Sequence, residues 1–374
     1  MSAGSVRTEI CDRFGIEHPI IGFTPSEHVA AAISRAGGLG VLGCVRYNDA
    51  AELDRALHWM DDNTGGRPYG VDVVMPATLP TEGTPVDLGT LIPDGHREFV
   101  ERTLTELGVP PLPAGSDAAG GSGVLGWLHS VARAHVDVAL KHPIALIANA
   151  LGSPPPDVLA RAHDAGIPVA ALAGTAAHAR RHVDAGVDVV VAQGYEAGGH
   201  TGEIATMVLL PEVVDAVGDR APVLAAGGIG TGRQIAAALA LGAAGVWMGS
   251  TWLTTSEYAT GMPASATQAA LLAAGSSDTV RSRVYSGKPA RLLKTRWTQA
   301  WSAPDAPAPL PMPLQNLLVG AAHERISRSG DPDVVAMPVG QIVGRMNVVR
   351  PVADVMADLL GELDDTLDRL GGLR

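Results

Sequence analysis

Cysteine is almost missing from this chain: 374 residues hold only Cys11 and Cys44. That excludes a disulfide framework and any Cys-x-x-Cys metal pair. Aromatic residues are scarce at 4%, and basic residues are outnumbered, 27 Lys and Arg against 39 Asp and Glu. With a net charge of −12 and no basic block, nucleic acid is excluded as an expected partner. No apolar run reaches the ~18 residues that cross a bilayer, so no membrane span is expected. The opening stretch MSAGSVRTEICDRFGIEHP lacks an apolar signal core. The expectation is a soluble, cytoplasmic protein. No Gly-x-Ser-x-Gly elbow occurs, which sets a serine hydrolase aside.

What the sequence does have is 46% hydrophobic residues, led by alanine and glycine. Short apolar runs alternate with alanine-rich helical runs. Strands are expected at 18–23, 38–43, 69–75, 144–150, 168–174, 187–193, 222–228 and 244–250. Most are continuously apolar, the pattern of parallel strands covered on both faces. Eight such strands with intervening helices predict an α/β fold, a closed (β/α)8 TIM barrel, over residues 1–260. A doubly wound open sheet is the alternative. Residues 76–142 are too long for one connection. They read as a lid-like insertion between strands three and four, over the C-terminal mouth of the barrel. Its two helical patterns are PDGHREFVERTLTELG and GVLGWLHSVARAHVDVALKH. The second reads equally as a pocket wall or as a homodimer contact. Residues 261–374 predict a helical C-terminal cap.

Three stretches carry the chemistry. PVLAAGGIGTGRQIAAALALG is strand, glycine turn and helix, and GVWMGST is a second strand ending in small residues. These fall after strands seven and eight, where barrels commonly hold a phosphate. Gly227, Gly228 and Gly230 let backbone amides approach an anion, and Gly249 and Ser250 form the partner turn. The glycines do not follow Gly-x-Gly-x-x-Gly, and no acid ends the next strand, so a mononucleotide fits better than a dinucleotide. The third stretch is VVVAQGYEAGGHTGE. Gln193 ends its strand and can hydrogen-bond a heterocycle. Gly194, Gly198, Gly199 and Gly202 let the loop bend so that His200 faces inward, as a candidate acid or base near neutral pH. Glu196 is placed to orient His200 or to cap the loop. His178 and His182 have metal-ligand spacing, but their Arg/Ala-rich helix reads as a solvated outer face. No metal site is expected.

At these residues the chain resembles the flavin-dependent nitronate monooxygenases, also called 2-nitropropane dioxygenases. The segments AAISRAGGLGVLG, VVVAQGYEAGGHTGE and PVLAAGGIGTGRQIAAALALGAAGVWMGSTWLTTSE carry the resemblance, with SGKPAR and VGQIVG matching less sharply. The central Gln-Gly-x-Glu-Ala-Gly-Gly-His-x-Gly motif is shared with similar flavin enoyl-thioester reductases. The resemblance implies bound FMN, with His200 as catalytic base. Gln193, Gly194 and Gly199 would lie against the flavin, and Gly227, Gly228, Gly249 and Ser250 would hold the phosphate. Two positions depart from the family pattern. HPIIGFTPSE replaces the usual Pro-Ile-x-x-Ala-Pro-Met turn over the flavin, so Phe23 and Thr24 fill that place. Asp72 stands where the family often has Asn. The activity implied is oxidation of an alkyl nitronate, or a similar carbon acid, by O2 to a carbonyl compound and nitrite. The alternative is an NAD(P)H-dependent reductase or dehydrogenase acting on an enone, quinone or CoA thioester.

Overall fold

The computed structural model describes residues 6–75, 88–113 and 129–373. Among them β1 (Ile20–Thr24), β2 (Leu39–Gly43), β3 (Tyr69–Val74), β4 (Leu146–Ala150), β5 (Val169–Ala173), β6 (Val189–Gln193), β8 (Val223–Ala226) and β9 (Gly245–Met248) close a barrel in that order. Every neighbouring pair is parallel, and β9 closes on β1 at Ile20↔Val246. The barrel reading holds, and the open sheet is excluded.

The continuous apolar runs follow from two buried faces. Ile21, Val41, Ala148, Val191 and Leu224 fill the barrel interior. Val71, Val73, Ile147 and Val169 pack outward under the helices. The short helix α1 (Glu9–Phe14) adds Ile10, Cys11 and Phe14 to the interior cluster beside Leu39, Leu146 and Val189. Those three residues begin or lie near the start of their strands, so α1 plugs the bottom of the barrel. Ligand chemistry is left to the opposite mouth.

The surrounding helices include α2 (Glu27–Arg35), α3 (Ala50–Asn63), α6 (Pro156–Asp164), α7 (Ala176–Asp184), α8 (Thr206–Val217) and α9 (Gly232–Ala240). Ser26, Asp49, Thr175 and Thr231 cap four of them by accepting backbone N–H bonds, which fixes where each turn ends. On α7, His178 is exposed, but His182 is buried rather than solvated. His182 Nε2 donates to the Leu172 carbonyl at 3.1 Å, so its Nδ1, 2.7 Å from Ser153 Oγ, accepts.

Parts of the 76–142 segment, residues 76–87 and 114–128, lie outside the described residues. Its two helices go to different places. α5 (His129–Ala139) buries Ala132, Val136 and Ala139 against Leu53, Leu57 and Met60 of α3, and so joins the outer ring. α4 (Asp94–Glu106) buries Phe99, Val100 and Leu104 in a separate core with Trp297, Trp301, Leu318 and Val319.

After the barrel come α10 (Ser256–Gly261), α11 (Ser265–Ala273), α12 (Arg296–Ala300), α13 (Leu314–Ser329) and α14 (Val352–Gly371). The region is not wholly helical. β7 (Gly199–His200), β10 (Thr279–Ser282) and β11 (Ala290–Leu293) form a three-stranded antiparallel sheet, order β10-β11-β7. Four-residue strands are too short to show a period in the sequence. Arg325 of α13 donates to Glu101 at 2.7 Å and to the Pro110 and Val109 carbonyls, fastening the tail to α4 and the residues that follow it. α14 instead returns to the barrel wall, where Val352, Met356, Leu359 and Leu363 share a core with Ile33 and Ile235.

Candidate active site

Alternation along each strand decides which residues reach the mouth. Phe23 and Trp247 belong to the interior cluster, with rings stacked at 6.2 Å. A Cβ on Gly43 would lie 3.0 Å from the Phe23 ring, and one on Gly249 would lie 3.7 Å from it. The aromatic therefore needs two small residues beside it. Thr24 points the other way: buried, it accepts the Ser26 N–H at 3.1 Å. The structure brings Phe23 to the interior and leaves Thr24 in the turn.

Asp72 pairs in register with Gly43 and Ala148 and is 4% exposed. Ala148 is an interior residue, and partners in register share a face. Burial lifts the Asp72 carboxyl to about 7. Gln193 closes β6 on the same interior parity as Val189 and Val191 and is half-buried.

His200 is held from two sides. Its backbone pairs with Ala290 of β11, and its Nε2 lies 2.6 Å from Ser286 Oγ. Burial first, and the nearby Lys288 second, push the imidazole down to about 4. The side chain is half-buried. Glu196 does not orient His200. Its Oε2 accepts both the N–H and the hydroxyl of Thr206 at 2.9 Å, capping α8. Thr206 approaches so closely that a Cβ on Gly194 would fall 2.1 Å from its hydroxyl.

Two arginines clamp the same loop. Arg291, 3% exposed, donates through Nε and Nη2 to the Tyr195 carbonyl at 3.1 Å and lies 4.4 Å over that ring. Arg281 Nη2 donates to the Thr201 carbonyl at 3.1 Å. The VGQIVG segment also reaches this loop and the Ser250 turn: Gly340 N–H donates to Ser250 Oγ at 2.9 Å, and Gln341 N–H donates to the Glu196 carbonyl at 2.9 Å. A Cβ on Gly198 would sit 2.7 Å from Gly340 N.

At the glycine turns, Gly227 and Gly228 have φ of 101° and 70°, which side chains rarely adopt. A Cβ on Gly227 would lie 3.1 Å from Ala197 N. The N-terminus of α9 is already used: Gly230 N–H donates to Gln234 Oε1, and Gly232 N–H donates to Glu362 of α14, each at 2.9 Å. An anion is therefore left the turns themselves and the short helical turn Ser250–Thr254. There the buried Thr251 hydroxyl has no partner among the described residues, and next to His200 neither does the buried Thr201 hydroxyl. Two surface clefts of about 480 and 520 Å³ flank His28 and Trp59, and none of these residues lines them.

A family model described as nitronate monooxygenase matches residues 5–362. The chain belongs to the nitronate monooxygenase family. A Mycobacterium tuberculosis protein, provisionally named a monooxygenase, is 50% identical over 98% of this chain and 99% of its own. A Staphylococcus aureus relative with the provisional name nitronate monooxygenase is 25% identical, covering 96% and 98%. Among solved structures, nitroalkane oxidase from Streptomyces ansochromogenes superposes with a TM-score of 0.78 at 29% identity, covering 96% of this chain and 99% of that one. FabK from Thermotoga maritima gives 0.74 at 28% identity, covering 99% and 100%.

The chain is thus an oxidoreductase of a flavin-dependent family. A flavin phosphate fits these turns: they carry no side chains, and the buried Thr251 hydroxyl has no partner among the described residues. Ser286, Arg281, Arg291 and Thr251 were not identified as site residues from sequence. The only signal for Ser286 and Arg291 was the weak SGKPAR match, whose role shows only once β11 lies beside β7.

Proposed function

We propose that the chain binds FMN at the barrel mouth and oxidises an alkyl nitronate, or a similarly acidic carbon acid, with O2 to a carbonyl compound and nitrite. The observation that carries this is His200, held by Ser286 and Ala290 at the end of the β6 loop. Gly227, Gly228, Gly249 and Ser250 hold the phosphate, joined by the Thr251 hydroxyl. Gln193 meets the ring edge with its amide, Gly194 and Gly199 give the backbone room, and Phe23 and Asp72 line the ring's surroundings. FMN supplies the electron transfer and its return to oxygen.

His200 is neutral across the physiological range, since burial and Lys288 disfavour its charged form. Ser286 Oγ accepts the Lys288 N–H at 3.3 Å. We assign Nε2–H as donor to the same oxygen, which makes Nδ1 the acceptor nitrogen of the neutral ring. An imidazole held near 4 is a weak proton acceptor at neutral pH. That favours a substrate arriving already ionised, a nitronate over its neutral nitroalkane.

His200→Asn tests the reading. The variant retains FMN, because the phosphate turns lie elsewhere. Turnover of a neutral nitroalkane falls roughly 10²–10⁴-fold, the usual worth of a positioned base. Turnover of the pre-ionised nitronate falls less. In the wild type the acid limb on the neutral substrate lies near 4, where burial holds the His200 imidazole, and the variant lacks it. Near wild-type turnover of the neutral substrate would make His200 a structural loop residue.

The His200 motif is shared with flavin enoyl-thioester reductases, which supports a second reading: NAD(P)H-dependent reduction of an enone, quinone or thioester. Rapid anaerobic bleaching of the flavin by NAD(P)H selects it.

A further inference from the structure

On the outer wall of the barrel, three side chains converge that the chemistry above does not use. Asp54 and His58 stand one turn apart on α3. His142, buried, follows α5 in the turn leading to β4. One ligand-type atom from each of the three lies within 4.8 Å of the others.

The hydrogen bonds fix the tautomer of His142. Its Nδ1 is 2.6 Å from Asp61 Oδ2, and Asp61 Oδ1 accepts the Tyr69 hydroxyl, also at 2.6 Å. An ionised carboxylate only accepts, so Nδ1 carries the proton, and in a neutral imidazole Nε2 is then an acceptor. That acceptor faces Asp54 Oδ1 at 3.3 Å, while the other oxygen of the same carboxylate faces His58 Nδ1 at 3.3 Å. Between His142 and Asp54 this turns two acceptors on one another, which a cation between them relieves, while His58 Nδ1 carries a proton towards the Asp54 carbonyl. A proton on Nε2 would draw the pair into a charge-assisted bond of about 2.7–2.9 Å. Zinc held by nitrogen and oxygen at ~2.0–2.1 Å sets the edges of a ligand tetrahedron near ~3.3–3.4 Å. Both separations match the second case.

We propose that Asp54, His58 and His142 bind a zinc ion that fastens α3 to the segment leading into β4. Asp61 orients His142 through Nδ1, the carboxylate–histidine–metal arrangement that fixes a ligand's tautomer and raises its basicity. Two imidazoles and one carboxylate suit zinc rather than magnesium or calcium, which take all-oxygen sets. Asp54 and Asp61 together balance the dication. The side chains of Asp54 and His58 are 40% and 68% exposed, so the ion reaches the site from solvent and completes its shell with water. Ligation exchanges the 2.9 Å contact of His58 Nδ1 with the Asp54 carbonyl for a metal bond.

The test is equilibrium dialysis of the purified full chain, without an affinity tag, against zinc sulfate, with bound metal counted by mass spectrometry. The wild type binds one zinc per chain. His58→Ala removes an exposed side chain, leaves the core untouched, and weakens binding at least about tenfold, while turnover stays unchanged. Asp61→Asn weakens it roughly 10–100-fold, the usual effect of losing an outer partner. A wild type that holds no more zinc than His58→Ala overturns the proposal, and so does a His58→Ala variant that binds as tightly as the wild type.

Discussion

Burial lifts the Asp72 carboxyl to about 7 and pushes the His200 imidazole down to about 4, so the interior favours the neutral form of both. For Asp72 this makes its influence on a bound flavin depend on pH. Below about 7 it is an uncharged acid; above, it is an anion in the barrel interior. Asp72→Asn therefore raises the flavin reduction potential at alkaline pH and barely changes it at acid pH. The alkaline difference is on the order of 1 kcal/mol for a partly screened unit charge, about 20 mV for two electrons. Spectroelectrochemical titration at pH 6 and pH 9 checks it, and equal differences at both would place the carboxylate away from the ring. Asp72 was visible in the sequence as a departure from a family pattern, and the strand register then put it inside. Ser286 had no such mark. A serine 86 residues from His200 gains its meaning only from a hydrogen bond that no local pattern encodes.

The barrel strands were readable because every one is buried on two faces and so spells a plain apolar run between glycine-ended helices. β10 and β11 were not, because four residues with Arg281 and Arg291 among them look like loop. Nor was the seat of α14. A Cβ on Gly232 would fall 2.2 Å from Leu363 N and 2.4 Å from the Leu359 carbonyl, both backbone atoms of that helix. The glycine that opens α9 is thus a packing residue for the tail as well as part of a turn motif. Gly232→Ala must push α14 away and strain the Glu362 bond to the Gly232 N–H. The expected loss is about 1–3 kcal/mol of stability, the usual cost of overpacking. Urea denaturation measures it, and an unchanged midpoint would show that α14 shifts freely.

The whole molecule should be acid-sensitive for a reason that can be signed. His200 and His323 both have folded values near 4, against an ordinary 6.5. Between those values the unfolded chain takes up protons that the folded chain refuses, so stability falls as pH drops from about 6.5 towards 4. Asp72 acts in the opposite sense: it keeps a proton when folded, and its contribution falls as pH rises from 3.8 to about 7. The two histidines outweigh one aspartate on the acid side. His323 stacks on Tyr285 at 5.2 Å, and its buried Nε2 has no partner among the described residues, so His323→Phe keeps the ring and removes the titration. Melting temperatures at pH 7 and pH 5 should then differ less for the variant than for the wild type. Identical slopes would mean that His323 does not titrate in this range. Ser286 and Ala290, which position His200, both follow the last barrel strand, β9. During synthesis all eight barrel strands, with both glycine turns, are therefore made before the strand that pairs with His200. The partner that orients the His200 imidazole is thus made only after all eight barrel strands, and the Gly340 and Glu362 contacts to the glycine turns later still.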